Sequence, residues 1–259
     1  MQEERKDDLL IKYDQAKIAA IIKQWQFPIL ALDFEAYHFK KDYKDYDHLK
    51  ECNAKPFLVG VNIIFSPTIL LNNSLDELIE YQYHLNWNLN DKKLHSFKSF
   101  ALFLVKLVRK HNIRTLLVLG KELEQELIAI MSKRWPRWFR LKKLTIIDIY
   151  DLYANQTLFQ LYLSEDSTPL KVKQIEQFLR FDDLYQIMLR PVNNDRHYWD
   201  NIWRRLDGFY SYDKKNLYQN LHKYQDEHLK EIVDKNYNDL LKMTSLLKTF
   251  ISYGKKRQE

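Results

Sequence analysis

Two carboxylates stand two residues apart in an otherwise apolar run, ILALDFEAY, as Asp33 and Glu35. Residues so spaced on a strand point to the same face, which sets the two acids side by side. Adjacent carboxylates repel each other, and burying them uncompensated is expensive. A divalent cation, which takes oxygen ligands, relieves both penalties. The competing reading is a strand end whose acids simply face water, as Asp and Glu commonly do.

Two further acids fall on apolar helix faces. Glu124, in VLGKELEQEL, shares a helical face with Leu127, Ile128 and Met131, while Glu122 and Glu126 are left to solvent. A strand-to-helix junction also delivers a residue to the carboxyl edge of a sheet, where α/β sites gather. The helix dipole alone would equally favour an acid in that first turn. Asp239, in DKNYNDLLKMTSLL, aligns with Ile232, Met243 and Leu246, and Lys235 lies one turn before it. An ordinary surface ion pair between Lys235 and Asp239 is the bland alternative, worth about 0.5 kcal/mol or less. A fold that gathered all four acids would make them one site.

The segment KRWPRWFRLKK (133–143) interleaves basic and aromatic side chains. Arg134, Trp135, Arg137, Trp138 and Arg140 could hold backbone phosphates and stack bases of a single strand. They could equally be a connection whose aromatics are core and whose charges are solvated. A net charge of +6 and a pI near 9.0 suit a polyanionic partner. With four glycines and no GxGxxG or GxxxxGK[ST], a glycine-rich phosphate cradle is nearly excluded. The single Cys52 excludes a disulfide framework and a CxxC knuckle, and suits a reducing compartment. No apolar run approaches the roughly 20 residues of a membrane span, and MQEERKDDLL lacks a signal-peptide core. The expectation is a cytoplasmic chain without membrane association.

The elements that must position these residues follow from periodicity. The pattern predicts an N-terminal helix over 8–26, then strands over 27–39, 56–65 and 81–89. A strongly amphipathic helix is expected over 96–110, a strand over 115–120 and a helix over 122–132. A fifth strand over 143–153 runs into a turn, and a short helix covers 170–179. A long helix over 217–253 closes the pattern, while 182–215, polar, aromatic and basic, reads as an insertion. Three leading strands suggest an antiparallel meander, and the later alternation suggests parallel pairing. The fold class is therefore α/β, a mixed five-stranded sheet flanked by helices. Residues 1–26 would form an N-terminal helix and 27–253 the domain.

These residues, in this order, resemble the DEDD-type 3′–5′ exonucleases of the RNase H-like superfamily. LDFEAY is similar to the family's Asp-x-Glu motif, with Asp33 and Glu35 at its acids. VLGKELE resembles the second motif, with Glu124 at the acid and Gly120 where Asn is usual. PLKVKQIEQFLRFDD resembles an LK-x-x-E-x-x-L segment of a bacterial branch, and KNYND its Tyr-Asn-x-x-Asp, from Asn236 to Asp239. Lys235 stands where the Tyr would be. The resemblance spans roughly residues 27–250. It implies two Mg²⁺ or Mn²⁺ ions held by Asp33, Glu35, Glu124 and Asp239, roughly 4 Å apart and clamping a scissile phosphate. The implied activity is hydrolysis of phosphodiester bonds from a single-stranded end of DNA or RNA. The water-orienting Tyr or His of the family has no counterpart at the expected offsets. The general base is then Lys235, a residue from elsewhere, or missing. In the last case the chain would be a catalytically weakened module that binds nucleic acid or a protein partner.

Overall fold

The computed structural model describes residues 1–6, 9–38, 54–86, 95–135, 144–155, 157–162, 189–193, 195, 198 and 217–255. The segment resembling LK-x-x-E-x-x-L, the helix expected over 170–179 and most of the expected insertion lie outside the described residues.

The fold is α/β, and its centre is β3 (Ile29–His38), a strand apolar on both faces from Ile29 to Leu32. It pairs antiparallel with β4 (Ala54–Ile64), with Asp33 opposite Gly60 and a register shift between Glu35 and Ala36. On its other side Ile29–Ala31 pair in parallel with β6 (Thr115–Val118), which pairs in parallel with β7 (Thr145–Asp148). β5 (Gln82–Leu85) adds antiparallel to β4. The resulting order, β5-β4-β3-β6-β7, is a mixed five-stranded sheet consistent with the RNase H-like arrangement expected.

Alternation along β3 divides the core in two. Leu30, Leu32 and Phe34 face α4 (His95–Lys110) and α5 (Lys121–Arg134), where Phe97, Phe100, Leu104, Leu127 and Met131 are buried. Ile29 and Ala31 face the opposite way, toward α7 (Leu217–Lys255), and meet Leu240, Met243, Leu247 and Phe250. Two sides of one strand thus serve two layers of helix, which buries both faces of the sheet. The short helices α2 (Pro67–Asn72) and α3 (Leu75–Leu78) link β4 to β5, each opened by a serine.

The expectation of a helix over 8–26 is corrected at its start. Leu9–Tyr13 is strand β2, paired antiparallel with β1 (Gln2–Lys6) and with β8 (Phe159–Tyr162) in a second, three-stranded sheet. Only α1 (Gln15–Ile22) is helical, capped by the Asp14 carboxylate on the Lys17 amide. Leu9, Leu10 and Tyr13 fit either period, and the partner strand that decides between them lies about 150 residues along. Nor is this region a separate extension, since Ile11, Tyr13 and Ile18 share the core cluster of Ile29 and Phe250. The expected turn after β7 is the short helix α6 (Ile149–Ala154). Among the described residues no helix is long and apolar enough to cross a membrane.

Candidate metal centre

The face of β3 that begins with Ile29 and Ala31 continues with Asp33 and Glu35. At that level α7 no longer offers leucines; it presents Lys235, Asn236 and Asp239. One carboxylate oxygen from each of Asp33, Glu35 and Asp239 lies within 4.8 Å of the others. Three of the four expected acids are therefore brought together by the crossing of one strand and one helix.

Each acid has a partner. The Asn236 side-chain amide donates to Asp33 Oδ2 at 2.7 Å and to the Asp33 carbonyl at 3.1 Å. Tyr81 in turn donates its hydroxyl to Asn236 Oδ1 at 3.1 Å, which fixes the orientation of that amide. Lys235 Nζ donates to Glu35 Oε1 and to Asp239 Oδ2, both at 2.9 Å. Lys242 Nζ takes the other Asp239 oxygen at 2.9 Å. This close approach needs Gly60: a Cβ there would stand 1.7 Å from Asn236 Oδ1 and 2.9 Å from the Tyr81 ring.

Glu124 arrives from the other helical layer. β6 ends at Val118, and Gly120 turns the chain into α5 with φ of +87°, a conformation that disfavours side chains. Asp148, at the end of β7, accepts from the amides of Gly120 at 3.1 Å and Lys121 at 3.0 Å while capping α6 through Tyr150. One buried carboxylate thereby sets the first turns of two helices. Glu124, in the first turn of α5, is only 4% exposed, and its Oε2 has no hydrogen-bond partner. It lies outside the triad of Asp33, Glu35 and Asp239, yet near enough that its charge is felt at Asp33.

The electrostatics follow from burial and crowding. Burial raises the Asp33 carboxyl well above its usual range, and the charges of Glu35 and Asp239 add to the effect. Burial likewise raises Glu35 against the opposing pull of Lys235. Glu124 is pushed up to about 7, chiefly by burial, with the amides of Glu124 and Phe34 pulling the other way. For Asp239 burial is outweighed by Lys235 and Lys242, and its carboxyl is lowered. Burial also works against the Lys235 charge, but Asp239, Glu35 and Asp33 outweigh it and hold the ammonium well above its normal pKa. A protonated amine has no lone pair with which to take a proton from water. Lys235 acts here as a cation.

The donor set is all carboxylate oxygen, which suits hard Mg²⁺ or Mn²⁺. The orphaned, buried Glu124 Oε2 is the group that a cation would satisfy, so the residues present fit a divalent metal. Of the expected nucleic-acid contacts, Arg134 is exposed in the last turn of α5, about 15 Å along the axis from Glu124. Trp135 is partly buried against the core under α4 and α5, in line with the core reading of that aromatic. Arg137, Trp138 and Arg140 lie outside the described residues. The polar 182–215 region contributes Arg190, whose Nη1 pairs with Asp234 at 2.8 Å and whose guanidinium sits 3.7 Å from the Tyr237 ring centroid.

No family model matches the chain, and no curated protein or solved structure does either. Asn236, Tyr81, Gly60, Asp148 and Lys242 were not assigned these roles from the sequence. Gly60 carried a local signal, an isolated glycine within a strand, which often marks a close approach, and Asn236 stood at the Asn of the Tyr-Asn-x-x-Asp resemblance without a role attached.

Proposed function

We propose that this chain is a metal-dependent nuclease that hydrolyses phosphodiester bonds of DNA or RNA, acting as a 3′–5′ exonuclease. The observation that carries the reading is the convergence of Asp33, Glu35 and Asp239 within 4.8 Å, beside a buried Glu124 oxygen with no partner. In this reading the four acids hold Mg²⁺ or Mn²⁺. When bound, such a cation neutralises charge on a phosphodiester oxygen and eases the ionisation of water. Asn236 and Tyr81 fix the Asp33 carboxylate, and Asp148 holds the turn that presents Glu124. The basic balance of the chain supports a polyanionic substrate.

A second reading has its own support in Lys235. Its ammonium already satisfies Glu35 and Asp239, as in a weakened module that binds nucleic acid without cutting it. Incubation of end-labelled single-stranded DNA and RNA with Mn²⁺ separates the two, run beside Asp33→Asn. Stepwise shortening that the variant abolishes is the expected result. Binding of the oligonucleotide by a folded chain that leaves it intact would overturn the nuclease in favour of the binding module.

A further inference from the structure

We infer that Lys235 is a resident cation of the acidic site, so that the chain binds one divalent ion where two would otherwise be held. This rests on the reading of the acids as a metal centre and concerns how that centre is filled. Lys235 Nζ lies 2.9 Å from Glu35 Oε1 and 2.9 Å from Asp239 Oδ2, between two of the three carboxylates that converge. Its side chain is 28% exposed, so the ammonium is drawn in among the acids and does not extend into water. Lys242 occupies the remaining Asp239 oxygen, leaving Asp239 with both oxygens engaged.

The pairing of the acids leads to the same count. Among the described residues Lys235 pairs with Glu35 and Asp239, and Lys242 with Asp239, whereas Asp33 takes the neutral amide of Asn236. The oxygen without a partner belongs to Glu124, whose charge is felt at Asp33. The ion would therefore be held at the Asp33 and Glu124 end, and Lys235 fills the Glu35 and Asp239 end. A tethered ammonium also differs from a metal in that no chelator removes it: Glu35 and Asp239 stay neutralised whether or not Mn²⁺ is present.

The test counts ions on the full chain by equilibrium dialysis against Mn²⁺, with electron paramagnetic resonance reading free Mn²⁺. The wild type is expected to hold one ion, Lys235→Met two, and Lys235→Arg, which keeps the charge, one. Mn²⁺ should also raise the melting temperature of Lys235→Met more than that of the wild type. If Lys235→Met does not fold without metal, Lys235→Gln, which keeps a polar side chain, is expected to give the same doubled count. Two ions on the wild type would mean that Lys235 swings aside; that overturns the inference and leaves the metal centre standing. An unchanged count of one in the variants that lack the charge overturns it as well. No ion on any of them would remove the metal centre itself.

Discussion

The two halves of α7 cross the same sheet and are held to it by different physics. From Leu240 to Tyr253 the helix buries Leu240, Leu247, Phe250 and Ile251 against Ile29, Ala31 and the second sheet. One turn earlier it buries Asp234, Asn236 and Asn238 and reaches out through Lys235. The apolar half gains from every atom removed from water, without regard to direction. The polar half also buries Ile232 and Val233, but its polar groups gain only where each donor meets its acceptor, and a missing partner leaves a desolvated charge behind. The first half anchors the helix, and the second sets its rotation and height over Asp33 and Glu35.

Removing the largest buried ring of the anchoring half should show the largest effect. Phe250 packs on Trp25, Tyr153 and Phe159 and is fully buried. Phe250→Ala is expected to lower stability by about 3–5 kcal/mol in urea unfolding. The loss should be the same at pH 5 and pH 8, because no titrating group is released. A loss below about 1 kcal/mol would break the distinction between the halves.

The site end should respond to pH instead. The Glu124 carboxyl lies at about 7 in the folded chain against an ordinary 4.5. The native state thus holds this proton more tightly than the unfolded state does. Its contribution to stability is present below pH 4.5 and is lost as pH rises through 7. Measured against Glu124→Gln, the wild type should lose up to about 3 kcal/mol over that interval. A difference that stays flat across these pH values would remove the buried acid from the account.

Gly60→Ala gives the smallest and sharpest of the three effects. Its new Cβ would meet Asn236 Oδ1 at 1.7 Å, so α7 must lift or Asn236 must turn away from Asp33. The expected loss is about 1–3 kcal/mol. Pairing it with Asn236→Ala should recover part of that loss in a double-mutant cycle. Strictly additive losses would show that the two positions do not meet.

What the sequence made legible follows the range of the interactions. Asp33 and Glu35 were readable because strand alternation is local, and Glu124 and Asp239 because helical phase is local. The antiparallel start and the later parallel pairing of a mixed five-stranded sheet followed from the same patterns, while the order of its strands did not. Leu9–Tyr13 was misread because its apolar spacing fits both a helix and a strand, and strand β8 decides the matter from far along the chain. The role of Asn236 was hidden for a related reason. The motif resemblance marked Asn236 as a position, but its bond to Asp33 is visible only once Gly60 makes room for it and Tyr81 aims it. Asp148 reads as an ordinary strand-end acid until Gly120 and Lys121 are seen to donate to it.

The bond from Asn236 to Asp33 joins positions 203 residues apart. That separation has a consequence in time. Strands β3 and β4 are neighbours in sequence and can pair while α7 is still a loose coil. Closing so long a loop must wait, because its entropic penalty comes due before the contact returns anything. The order this favours pairs β3 with β4 before the contact to α7 forms, with Asp33 and Glu35 still in water, where their charge is harmless. They are shut in only when the helix that carries their counter-charges arrives, so burial and neutralisation happen in a single event.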